Sequence, residues 1–111
     1  MKVTERRDAV ATYKERKVRA GIYAIRCQPT DHVWLGKAPD LATIQNRQWF
    51  TLRLGTHPHR SLQEAWALHG AKAFSFEVVE TVPDDDLAFG RDRALKRRLD
   101  HWLAAWGGTA I

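Results

Sequence analysis

His57-Pro58-His59 is the one place in the chain where two imidazoles stand a single residue apart. Imidazole changes charge near neutrality, so the pair could move protons or ligate a metal. The wider patterns that metal chemistry needs do not accompany it. A single cysteine, Cys27, makes neither a disulfide nor a thiolate zinc site, and no His-Glu-x-x-His or calcium-loop spacing occurs. Two histidines flanking a proline in a loop serve as exposed polar residues as readily as ligands. Gly21 and Gly36 stand singly beside apolar runs and form no phosphate-cradling loop, which argues against P-loop and Rossmann nucleotide sites.

The second chemical resource is positive charge. Among 111 residues, 18 Lys and Arg stand against 13 Asp and Glu, a formal net charge of +5, and residues 1–19 hold most of the excess. Such a balance favours a polyanionic partner. Arg6, Arg7, Lys14 and Lys17 are the candidates for contacting a nucleic-acid backbone, a solvated helix face being the other reading of that segment. With 44% hydrophobic and 28% charged residues the composition suits one folded domain and excludes disordered or collagenous chains. No apolar run approaches the ~20 residues of a membrane span, so no membrane contact is expected. The charged N-terminus and lone cysteine point to the cytoplasm.

The elements that must position these residues read as mixed α/β (α+β). Helix formers over 4–18 predict a helix on the basic segment 1–19. Gly21-Ile22-Tyr23-Ala24-Ile25-Arg26-Cys27, a Pro29-Thr30-Asp31 turn and His32-Val33-Trp34-Leu35-Gly36 predict a β-hairpin. Asp40 is placed to cap a helix whose Leu41, Ile44, Gln48 and Leu52 share one stripe, with Trp49 and Phe50 thickening its buried face and Gly55 ending it. Ser61-Leu62-Gln63-Glu64 has the form of a capping box opening a second helix that stops at Gly70. Phe74–Glu80 alternates as a strand, and a last helix is expected from Asp84-Asp85-Asp86 to Trp106. The expectation is a three-stranded antiparallel sheet flanked by helices over 20–106, preceded by the helical segment 1–19 and followed by a tail at 107–111.

Gly21-Ile22-Tyr23, then Trp34-Leu35-Gly36 eleven positions on, then the helix, the Gly55-Thr56-His57 loop, Leu62-Gln63-Glu64-Ala65-Trp66, His69-Gly70, and Phe74-Ser75-Phe76-Glu77 form an ordered series. It resembles the GIY-YIG nuclease family over residues 20 to about 106. The resemblance implies metal-dependent hydrolysis of DNA phosphodiester bonds with magnesium or manganese, and it assigns roles. Tyr23 matches the first motif's tyrosine, which acts on the attacking water if its phenol reaches a cleft. Trp34 replaces the second motif's tyrosine, and an indole keeps a substrate-positioning contact while losing acid/base duty. The family's phosphate-binding arginine falls on Ile44, with Arg47 three residues later as its substitute. His57 matches a catalytic histidine, and His59 is its reserve and a positioning residue. Asp92 takes the place of the metal-binding glutamate. It shares a helical stripe with Leu95, Leu99, Leu103 and Trp106, so it is expected to face the domain and to need magnesium, Arg47 or Arg26 beside it.

Without a second domain to read base edges, such an endonuclease would have low sequence specificity. The departures at Trp34 and Ile44 keep a catalytically degenerate nucleic-acid-binding module of the same fold as the alternative. Five tryptophans also leave open a homodimer or partner patch at Trp106.

Overall fold

A computed structural model describes residues 18–83 and 90–111. The expected helix over 4–18, with Arg6, Arg7, Lys14 and Lys17, lies outside the described residues, as do Asp84–Asp86; the last helix, expected to start there, begins at Arg91 with Gly90 as its N-cap. The elements run β1 (Gly21–Cys27), β2 (His32–Ala38), α1 (Leu41–Leu54), α2 (Arg60–His69), a 3-10 turn at Ala71–Ala73, β3 (Phe74–Thr81), α3 (Arg91–Trp106) and β4 (Thr109–Ala110). None of the described helices is long and apolar enough to cross a membrane.

The sheet has the order β3-β1-β2-β4, with β1 antiparallel to both β2 and β3 and β4 parallel to β2. The expected three strands are therefore four, and the supposed tail supplies the fourth. Gly107 ends α3 in the left-handed region at φ 70°, and Gly108 lies so close to the Val33 carbonyl that a Cβ would sit 2.8 Å from its oxygen. Two glycines thus let the chain double back against β2. There Ile111 N–H donates to the Leu35 carbonyl at 2.9 Å, and Thr109 Oγ1 lies 2.9 Å from His32 Nε2.

Strand alternation splits the core into two layers. Tyr23, Ile25, Cys27, Trp34 and Ala38 face α1 and α2, meeting Leu41, Ile44, Leu52, Leu62 and Phe74. Ile22, Ala24, Val33 and Leu35 face the other way, onto Leu99, Trp102 and Leu103 of α3. Fully burying an aliphatic side chain is worth roughly 1.5–3 kcal/mol, and this apolar burial is what holds helices on both faces of so small a sheet. On the α3 side a polar clasp is added: Glu80 Oε1 accepts from Arg98 Nε at 2.7 Å and from Trp102 Nε1 at 2.8 Å.

Asp40 caps α1 as expected, accepting from the Ala42 amide at 3.0 Å, and Gly55 closes it at φ 75°. Phe50 departs from its expected place: it is 61% exposed, and Trp49 alone turns inward, against Trp66 and Phe76. The capping box does not form either. Helix α2 begins at Arg60, one residue before Ser61, with His59 at the N-cap, so Ser61 lies inside the first turn and Glu64 pairs with Arg60 at 3.1 Å.

Candidate active site

Tyr23 projects from β1 towards α1, and its neighbour across the hairpin is Gly36. A Cβ at Gly36 would sit 2.5 Å from the phenol Cζ and oxygen, so the ring occupies the space a side chain there would fill. Phe76 stacks on the ring with centroids 5.4 Å apart. The residue is only 3% exposed, which corrects the expectation that the phenol opens onto a cleft. Burial pushes its pKa up from 10.0 to about 12, so the phenol is neutral across the physiological range.

The phenol oxygen accepts from Gln48 Nε2 at 3.1 Å, and the same amide's Oε1 bonds His57 Nε2. On the far side of that ring, Nδ1 accepts from the His59 backbone N–H at 2.9 Å. An imidazole accepting at Nδ1 carries its proton on Nε2, so His57 donates to Gln48 and Gln48 donates to Tyr23. Desolvation is the main cause that lowers the His57 pKa; the His59 backbone contact opposes it and the charge of His59 adds to it. His57 is thus a neutral group with both nitrogens engaged.

Gln63 fixes the loop that carries the histidines. Its Oε1 accepts from the His57 backbone N–H at 2.9 Å, while its Nε2 donates to the Leu52 carbonyl at 3.1 Å. The end of α1, the histidine loop and α2 are thereby tied through one amide. Sequence reading missed both glutamines as functional residues. Gln48 had a signal, since it was the one polar residue on the stripe Leu41, Ile44, Leu52, and a polar group on a buried stripe requires a partner.

Trp34 is 2% exposed and packs beside Phe74, with His32 stacked over its outer side at 4.1 Å. Its one donor goes to Ser61 Oγ at 2.9 Å, and Ser61 Oγ lies 3.2 Å from His59 Nδ1. The ring does not present itself to a substrate directly. Ile44 is core, at 7% exposed, so it leaves no place for a phosphate-binding group, whereas Arg47 is exposed beside Gln48 on α1.

Asp92 is the largest departure. It lies exposed in the first turn of α3, the helix on the opposite face of the sheet from Tyr23 and Gln48. One turn later, Leu95 already packs on Ala20 and Val82, which flank the ends of β1 and β3. A residue before it on that stripe runs past the sheet, and no described residue covers it. Neither expected guanidinium joins it: Arg26 pairs with Asp31 at 2.9 Å, and no described residue forms an ion pair with Arg47 or Asp92. Among the described residues no three His, Cys, Asp or Glu side chains group as metal ligands, so an exposed single carboxylate is a poor fit to a protein-built magnesium or manganese site. Tyr23, Gln48, His57 and His59 do come together; Asp92 does not join them.

No protein-family model and no curated protein matches the chain. Two solved structures do. One, the catalytic domain of the homing endonuclease I-TevI, has a TM-score of 0.69 at 25% identity, covering 83% of this chain and 97% of that one. The other, a point variant of the catalytic domain of the intron endonuclease I-TevI, has a TM-score of 0.66 at 25% identity, covering 80% and 84%.

Proposed function

We propose that this chain, whose fold is that of the GIY-YIG nuclease domain, is an endonuclease that hydrolyses DNA phosphodiester bonds with low sequence specificity. The observation that carries the reading is the likeness to an endonuclease catalytic domain over nearly that domain's whole length. The polar chain from Tyr23 through Gln48 to His57 supports it. A helix packed on a sheet needs no such buried network, and a satisfied one rigidifies the place where it stands.

In this reading water attacks phosphorus, the ester bond to the leaving sugar oxygen breaks, and the water proton ends on that oxygen or in solvent. Arg47, exposed beside Gln48, answers the negative charge that gathers on the phosphate. Tyr23 and Gln48 act from beneath, setting the orientation of His57 and hence of the loop around it. Arg6, Arg7, Lys14 and Lys17 supply salt-sensitive contacts to the DNA backbone. The resemblance also implies magnesium or manganese at Asp92, which that exposed lone carboxylate does not fit, and no step above depends on it.

The second reading, a nucleic-acid-binding module without catalysis, is favoured by the buried Ile44 and the solvent-facing Asp92. Incubation with supercoiled plasmid separates the two. The nuclease reading expects nicking that Arg47→Ala and Gln48→Leu suppress. DNA binding with no nicking in magnesium or manganese would retire it. Nicking that survives both chelation and Asp92→Ala would remove the metal assignment alone.

A further inference from the structure

The two imidazoles of the histidine loop are held in opposite ways. His57 spends both ring nitrogens inside the protein, on Gln48 and on the His59 backbone. His59 spends one: its Nδ1 lies 3.2 Å from Ser61 Oγ, and no bond to its Nε2 is made by any described residue. His59 is half-buried, at the loop's outer end.

Ser61 lies between Trp34 and His59 and bonds both. An indole N–H can only donate, and it donates to Ser61 Oγ at 2.9 Å from a ring sealed in the core. The serine oxygen accepts from Trp34 through one lone pair, which leaves its proton available to His59 Nδ1 and its second lone pair able to accept from that nitrogen. A neutral imidazole that accepts at Nδ1 carries its hydrogen on Nε2.

We propose that His59, rather than His57, is the imidazole that meets the substrate, its Nε2 donating to a phosphate oxygen, with Trp34 and Ser61 as its positioning residues. A phosphodiester oxygen accepts and never donates, so it is met by the tautomer in which Ser61 donates to Nδ1 and Nε2 carries the hydrogen. The identity of the ligand rests on the DNA-phosphodiester reading above, whereas the free Nε2 of His59 does not depend on it.

Nitrogen NMR of the full chain reads the tautomer directly: His59 shows a bare Nδ1 and a protonated Nε2, and Ser61→Ala, which also takes the acceptor from the buried Trp34 N–H, gives a mixture. Affinity for a short DNA duplex reads the contact. His59→Gln sets an amide N–H near the Nε2 position and keeps binding close to that of the unsubstituted chain. His59→Leu deletes the donor and weakens binding about 10- to 100-fold, the range for a hydrogen bond to a charged group. A wild-type His59 protonated on Nδ1, or a His59→Leu chain that binds DNA undiminished, overturns the proposal. Binding that follows this pattern without any cleavage supports it and overturns only the nuclease reading. A wild-type chain that binds no DNA at all overturns both.

Discussion

Tyr23 lies over Gly36, its partner across the β1–β2 hairpin, at a distance that forbids any side chain on the glycine. The two positions specify one another: the ring fills the volume that the missing Cβ leaves, and the phenol oxygen thereby arrives at Gln48. Gly36→Ala must displace either the ring or the strand. Overpacking of this kind costs about 1–3 kcal/mol. Urea denaturation should show that loss, and the loss should shrink when Tyr23→Leu accompanies it, because the smaller side chain removes the clash.

The buried phenol makes stability depend on pH at the alkaline end. Its folded pKa of about 12 lies above the ordinary 10.0, so the folded state favours the proton. The stabilisation is fully present below 10.0 and is lost as pH rises through about 12. In a Tyr13→Phe background Tyr23 is the only tyrosine. Ultraviolet titration should then show phenolate appearing late and together with unfolding, and Tyr23→Phe should flatten the alkaline stability curve. A phenol ionising near its ordinary value in the folded protein would refute this.

Gln48 bonds Tyr23 with one end of its amide and His57 with the other. Gln48→Leu keeps the volume roughly and removes both bonds. The expected result is a folded protein, destabilised by about 1–3 kcal/mol through the polar groups left unpaired. On the nuclease reading proposed above, DNA cleavage by this variant should fall about 10²-fold in kcat, the scale of a misplacement near 1 Å, with KM little altered. A KM effect with kcat intact would make Gln48 a binding residue instead.

Much of this arrangement was legible in the residues. The hairpin, the Asp40 and Gly55 ends of α1, and β3 followed from alternation and capping, because those signals are local. What escaped depends on contacts between distant parts of the chain. Ser61 read as a helix cap, yet Trp34, 27 residues earlier, takes its oxygen. Phe50 read as core on its apolar character, but α1 turns it away from the sheet. Asp92 matched the buried stripe by spacing, and spacing says nothing about where the sheet beneath that stripe ends. Residues 107–111 read as a tail, since two residues carry too little pattern to announce a strand.

Glu80 makes a counterpart prediction on the other face. Burial alone would raise its pKa, but hydrogen bonds from Arg98 and Trp102, with the positive charge of Arg98 and His101, outweigh burial and hold the carboxylate below its ordinary 4.5. Its stabilisation is present above 4.5 and lost as pH falls through the lower folded value. Glu80→Ala should cost about 1 kcal/mol, the lower end of the range for a lost acceptor at a site part-open to solvent. Acid titration of the variant should show a shallower fall in stability than the parent. Equal slopes would place the acid sensitivity elsewhere.

Both layers hang from alternate residues of β1, so the molecule is two half-cores with a shared wall. Perturbations on opposite sides of that wall touch no common side chain, and their free energies should add. The Gln48 layer and the Glu80 layer can therefore be altered separately, and a chain that lost its chemistry in one could keep its architecture through the other.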